Sequence, residues 1–170
     1  LWKAYKSAAV SSSINETQQY MQLHTCDEKD GWKSILGKCY KVVTQRKNWE
    51  DAKKHCKDLN GKLAEPQNRY ISDLLHGYLQ SIEDPSPYRV PNFIYNKDKF
   101  AFIGVNDKNL EGKFVFDSNN NEVQFRYWSD TEEPNNFDGK EHCIHISTNY
   151  PNGAWNDYDC DFKMWSICEL

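Results

Sequence analysis

The chain has 170 residues, 38 % of them hydrophobic and 14 % aromatic, with a formal net charge of −4. That is enough apolar material for one core, while a mean hydropathy of −0.89 requires long polar loops around it. The acidic balance excludes a nucleic-acid partner, which needs a basic stripe over phosphates, and no apolar run approaches the roughly 18 residues of a membrane span.

Residues 1–25 are polar, rich in Ser and Gln, and lack Gly and Pro. Val10, Ile14, Met21 and Leu23 recur there without a sustained heptad, so the segment reads as a stalk, neck or tail. It carries the sequon Asn15-Glu16-Thr17, an expected glycosylation site at Asn15. No basic-and-apolar leader opens the chain, as expected for a processed secreted protein or an extracellular ectodomain.

From Cys26 the texture changes. Gly31-Trp32 through Tyr40-Lys41-Val42-Val43 reads as a short hairpin. Asn48 then caps a helix, with Asp51 three residues on. Trp49, Ala52, Cys56 and Leu59 repeat at helical spacing, and Gly61 closes the end. A second helix is predicted from about Gln67-Asn68, burying Ile71, Leu74, Leu75, Tyr78 and Ile82. Pro85, Pro87 and Pro91 make residues 84–99 a loop.

Short strands are predicted at 101–105, 113–116, 125–128, 143–146 and 165–169. The intervening stretch 129–139 is polar and rich in carboxylates, and long loops of this kind carry function or are disordered. Early helices and late strands predict an α+β domain over residues 26–170, with residues 1–25 as its appendage. Trp32, Trp49, Trp128, Trp155 and Trp165 are expected in its core.

The six cysteines stand at 26, 39, 56, 143, 160 and 168, and none forms a Cys-x-x-Cys pair. A zinc ribbon is therefore unsupported, while an even, spread set suits three disulfides and an oxidising compartment. Counting alone leaves their pairing open. A bridge between Cys56 and Cys168 would join the first helix to the last strand, closing a loop worth about 4–5 kcal/mol in chain entropy.

The residues that carry chemistry are Glu133-Pro134-Asn135, Glu141 and Trp155-Asn156-Asp157. Calcium takes six to eight oxygens from carboxylates and amide carbonyls, and this set offers three carboxylates and two amides without a soft donor. An X-Pro bond is readily cis, and a cis bond at Glu133-Pro134 would turn Glu133 and Asn135 to one side. Catalysis is not supported. The five His are scattered, no Ser or Cys nucleophile has a base beside it, and His142 and His145 fall on opposite faces of a strand.

In these motifs the chain resembles the C-type lectin family. Trp49-Glu50-Asp51-Ala52 through Cys56, Phe102-Ile103-Gly104-Val105, Glu133-Pro134-Asn135, the Trp155 to Cys160 run and Trp165-Ser166-Ile167-Cys168-Glu169 match its signatures in order, over roughly residues 26–170. The resemblance implies two helices packed on small antiparallel sheets, long calcium-binding loops, and the pairings Cys26–Cys39, Cys56–Cys168 and Cys143–Cys160. Carried over by position, it implies a principal Ca2+ site of Glu133, Asn135, Glu141, Asn156 and Asp157. Of these, Glu133, Asn135, Glu141 and Asn156 would also bind sugar.

A second calcium would use Asp107, Glu111 and Asn136 with the residue before Cys143, which here is His142 where an acid is usual. The Glu-Pro-Asn order implies mannose, N-acetylglucosamine or fucose as sugar, and glycans or glycoproteins bearing mannose-type sugars as partners. Homo-oligomerisation through residues 1–25 stays open. The rival is a calcium-stabilised protein-interaction or ice-binding member of the same fold. Two further departures are an extra residue between Trp128 and Glu133 and a long 84–99 loop.

Overall fold

The computed structural model describes residue 26 and residues 30–85, 98–129 and 132–170. The predicted neck, Asn15 and the middle of the 84–99 loop lie outside these. The chain divides into two compact units, Leu1–Cys39 and Tyr40–Leu170. In the first, β1 (Lys33–Ile35) leads through Leu36 and Gly37, both at positive φ, to the first two residues of β2 (Lys38–Lys47), whose remainder belongs to the second unit. Two consecutive positive-φ residues make the tight turn that suits the right-handed twist of a hairpin. Cys26 is bonded to Cys39 in the same unit.

In the second unit the helices form where the capping signals stand. Helix α1 (Trp49–Asp58) is capped by Asn48, whose side chain accepts from the Asp51 N–H at 2.8 Å. Its far end closes with Asn60 at φ 62°, the Asn60 N–H donating to the Lys57 carbonyl and the Gly61 N–H to that of Cys56. The left-handed residue is thus Asn60. Gly61 is required for another reason, because a Cβ there would lie 2.4 Å from the Glu169 carbonyl oxygen. Trp49, Ala52 and Cys56 are buried, and Trp49 Nε1 donates to the Ile103 carbonyl at 3.0 Å.

Helix α2 (Arg69–Ser81) is capped by Asn68 through the Ile71 N–H. Its buried face differs from the predicted one. Ser72, Leu75, His76, Tyr78 and Leu79 are buried, while Ile71, Leu74 and Ile82 are half-buried. The rotation follows from Ser72, whose hydroxyl donates to the Gly153 carbonyl at 2.6 Å and accepts from Trp155 Nε1 at 2.8 Å. A buried indole N–H needs an acceptor, and a serine on the helix supplies it.

The remaining strands are β3 (Lys62–Leu63), β4 (Phe100–Asn106), β5 (Val115–Phe116), β6 (Glu141–Ser147), β7 (Trp155–Asp159) and β8 (Met164–Glu169). They run in the order β2-β8-β4-β6-β7, with β3 also on β8 and β5 also on β4. Pairing is antiparallel except between β4 and β8, which are parallel. The predicted small antiparallel sheets are therefore joined through one parallel contact. The expected strand at 125–128 is absent, leaving an isolated bridge between Trp128 and Trp155. Its aromatic residues pack edge-on instead, Phe125 and Trp128 against Trp155 at 5.4 and 6.1 Å. Cys56–Cys168 links α1 to β8, and Cys143–Cys160 links β6 to the end of β7. These are the pairings the resemblance implied.

Candidate functional site

Glu141 opens β6, and Asn156 and Asp157 lie on β7 rather than in a loop, opposite His145 and Ile144. The irregularity between Glu141 and Cys143 and the nearby Cys143–Cys160 bridge hold this end of the strand pair. Glu133 and Asn135 come from the irregular stretch before β6, where the Glu133-Pro134 bond is cis.

Backbone hydrogen bonds tie that stretch to the strands. Asp157, buried, accepts from the Asn135 N–H through Oδ1 at 3.3 Å and from the Asn136 N–H through Oδ2 at 2.8 Å. Asn136 takes φ 43°, and its Oδ1 accepts from the Glu141 N–H at 3.0 Å. Glu141 Oε2 in turn accepts from the Phe137 N–H at 3.0 Å. The two segments are thus laced together by the side chains of Asp157, Asn136 and Glu141.

The electrostatics are one-sided. Burial, contact with the Asp157 carboxylate and the charge of Glu141 push Glu133 up to about 7. Burial raises Glu141 as well, aided by Asp157, Asp159 and Asp138 and opposed by the Phe137 N–H. Two buried oxygens, Glu133 Oε2 and Asn156 Oδ1, have no hydrogen-bond partner. Of the five expected principal ligands, Glu133, Glu141 and Asp157 interact directly, Asn135 joins through its backbone, and Asn156 precedes Asp157 on the strand.

The second expected group is also assembled. Asp107 follows β4 and is buried, its Oδ2 accepting from the Gly112 N–H at 2.8 Å. Donor atoms of Asp107, Glu111 and His142 all lie within 4.8 Å of one another. Asn136 joins this group as well, its Nδ2 donating to Glu111 Oε2 at 2.5 Å.

Sequence reasoning missed Phe137. It is 67 % exposed between Asn136 and Glu141, and the available signal was a lone aromatic in a polar, acidic loop. Lys108 pairs with Glu50 over the Trp49 ring. Tyr158 packs edge-on against His145 and Phe162.

The family described as the lectin C-type domain matches residues 45–170. Collectin-10 of chicken (Gallus gallus) is 33 % identical over 133 residues, 78 % of this chain and 42 % of that protein. The chain thus spans less than half the length of the collectin-10 relatives it matches. Among solved structures, the carbohydrate-recognition domain of the mouse scavenger receptor C-type lectin superposes with a TM-score of 0.67 at 23 % identity, covering 86 % of this chain and 98 % of that one. The cow CD23 C-type carbohydrate-recognition domain does so with 0.65 at 24 %, covering 86 % and 96 %. At these identities the superpositions speak for the fold. The relatives are lectins by name and not enzymes, in keeping with a sequence that pairs no nucleophile with a base. Signature residues, fold and family match agree: the chain belongs to the C-type lectin domain family.

Proposed function

We propose that the chain binds carbohydrate through a calcium ion held by Glu133, Asn135, Glu141, Asn156 and Asp157, choosing sugars with the vicinal hydroxyls of mannose, N-acetylglucosamine or fucose. The observation that carries this reading is the pair of partnerless buried oxygens, Glu133 Oε2 and Asn156 Oδ1, beside mutually repelling carboxylates. An orphaned buried acceptor is costly, and a hard cation relieves both the missing donor and the crowded charge. The donors suit calcium, being all oxygen.

Calcium, when bound, offers its remaining coordination positions to two neighbouring sugar hydroxyls. The chain's own groups do the selecting. Glu133 and Glu141 would accept hydrogen bonds from the hydroxyls, and the Asn135 and Asn156 amides would donate to the remaining lone pairs. Carboxylate before amide in Glu133-Pro134-Asn135 sets the donor–acceptor order that the family resemblance links to mannose-type diols. Asp157 binds the ion and anchors the loop through two backbone N–H groups. Phe137 offers an exposed apolar face for the C–H side of a sugar ring.

The cow CD23 domain was solved in the presence of a GlcNAc2Man3 oligosaccharide, in line with a glycan partner for this fold. One small sugar face supports a Kd near ~1 mM, about −4 kcal/mol, so useful avidity calls for several domains or a multivalent glycoprotein. Three disulfides suit an extracellular setting, and among the described residues no helix is long and apolar enough to cross a membrane.

Retention on mannose-agarose with release by a chelator is the expected result. Retention that survives chelation would favour the protein-interaction rival. Exchanging Glu133→Gln together with Asn135→Asp should move preference toward galactose-type sugars, and an unaltered preference would count against the donor–acceptor scheme.

A further inference from the structure

Beside the principal group, one imidazole stands between two carboxylates. His142 Nδ1 is 3.2 Å from Asp107 Oδ1 and 3.3 Å from Glu111 Oε2. A proton on that nitrogen, present in the Nδ1–H form of the ring, donates to Asp107 Oδ1 and stands beside the Glu111 carboxylate. Three neighbouring oxygens have donors of their own. Asp107 Oδ2 accepts from Gly112, Glu111 Oε2 also accepts from Asn136 Nδ2, and Asn136 Oδ1 accepts from Glu141.

The second calcium implied by family resemblance does not fit these donors. Calcium asks for six to eight oxygens, and here one expected carboxylate is replaced by a ring nitrogen directed at the two acids that should hold the ion. Imidazole is a ligand of the borderline transition metals and not of calcium.

We propose that His142 takes the place of the second calcium: its ring N–H clamps Asp107 to Glu111 and holds the 107–112 loop against β6, so that the domain carries a single calcium. The clamp continues into the principal site through Asn136, which donates to Glu111, accepts from Glu141 and donates its backbone N–H to Asp157 Oδ2. His142 is thus a positioning residue, doing with a covalently attached donor what an exchangeable ion would otherwise do. The location of the single ion rests on the function proposed above; the substitution at the second cluster does not.

The test is a count of calcium ions per chain at neutral pH, by native mass spectrometry and titration calorimetry. It compares wild type, Asp107→Asn, His142→Asp and the double variant. Wild type and Asp107→Asn should bind the same number. His142→Asp should bind one more, and Asp107→Asn in that background should remove the gain. The proposal is overturned if Asp107→Asn alone costs the wild-type protein an ion, a result that needs no His142 variant to fold. It is equally overturned if His142→Asp, folded by circular dichroism, gains none. A wild type holding no calcium would sink the functional reading instead, while the gain in His142→Asp would still decide this one.

Discussion

Glu-Pro occurs twice in this chain, and the two carboxylates meet different surroundings. Glu65 is buried, with Oε1 accepting from the Ser118 N–H and Oε2 from the Ser118 hydroxyl, each at 2.8 Å. Lys62 pairs with it and with Glu169, 3.2 Å away, and Glu169 accepts from the Glu65 N–H at 3.0 Å. At Glu133 the neighbours are Asp157 and Glu141, both acids, and Oε2 has no partner at all. A buried charge whose donors come from its own chain is a strut. One surrounded by like charge is a socket, completed from outside.

The sharpest way to break this contrast is to neutralise the socket. Asp157→Asn should lower calcium affinity by on the order of 100-fold or more and abolish retention on mannose-agarose, read by calorimetry and by column. A loss below tenfold would show that the acids do not act as a group. The strut should behave in the opposite way. Glu65→Ala strands Lys62 and the Ser118 donors, so it should cost about 3–5 kcal/mol of stability in denaturant unfolding at saturating calcium, with calcium affinity kept wherever the protein is folded.

The socket should also respond to pH. In chelator, folded Glu133 is pushed up to about 7, against an ordinary value of 4.5 in the unfolded chain. The folded state therefore binds this proton more tightly than the unfolded one. The group's stabilising contribution is complete below pH 4.5 and is lost as pH rises through about 7. Thermal melts in chelator should thus lose midpoint between pH 5 and pH 8, and Glu133→Gln should flatten that fall. Calcium binding, which competes with the same proton, should run the other way and weaken on acidification. Equal slopes for both proteins would remove Glu133 from the account. The smallest expected effect is at Phe137, where Phe137→Ala should weaken sugar binding about 2–10-fold and leave the calcium affinity as it was.

Local signals were legible in the sequence, and non-local ones were legible only where a motif named them. Asn48 and Asn68 announce their helices because a cap acts within three residues. The cis Glu133-Pro134 bond was readable because proline alone makes it cheap. The α2 face was misjudged because Ser72 is buried for a hydrogen bond to a Trp more than 80 residues on, which periodicity cannot sense. Residues 155–159 are missing from the predicted strands because Asn156, Asp157 and Asp159 are poor strand formers. Pairing with β6 and the Cys143–Cys160 bridge override that preference. The parallel β4–β8 contact had no local signature. In the site, residue types were readable and their shared electrostatics were not. Whether His142 faces Asp107 or solvent depends on the bulge between Glu141 and Cys143.

The pairing of Tyr40 with Glu169 has a further consequence. The first residue of the larger unit and the last residue of β8 are thus neighbours on two paired strands. Such an arrangement allows the module to be spliced into longer chains, or strung in tandem, without threading new polypeptide through its interior. A circular permutant joining these ends by a short flexible tether, and opened at an exposed turn elsewhere, should keep its carbohydrate affinity.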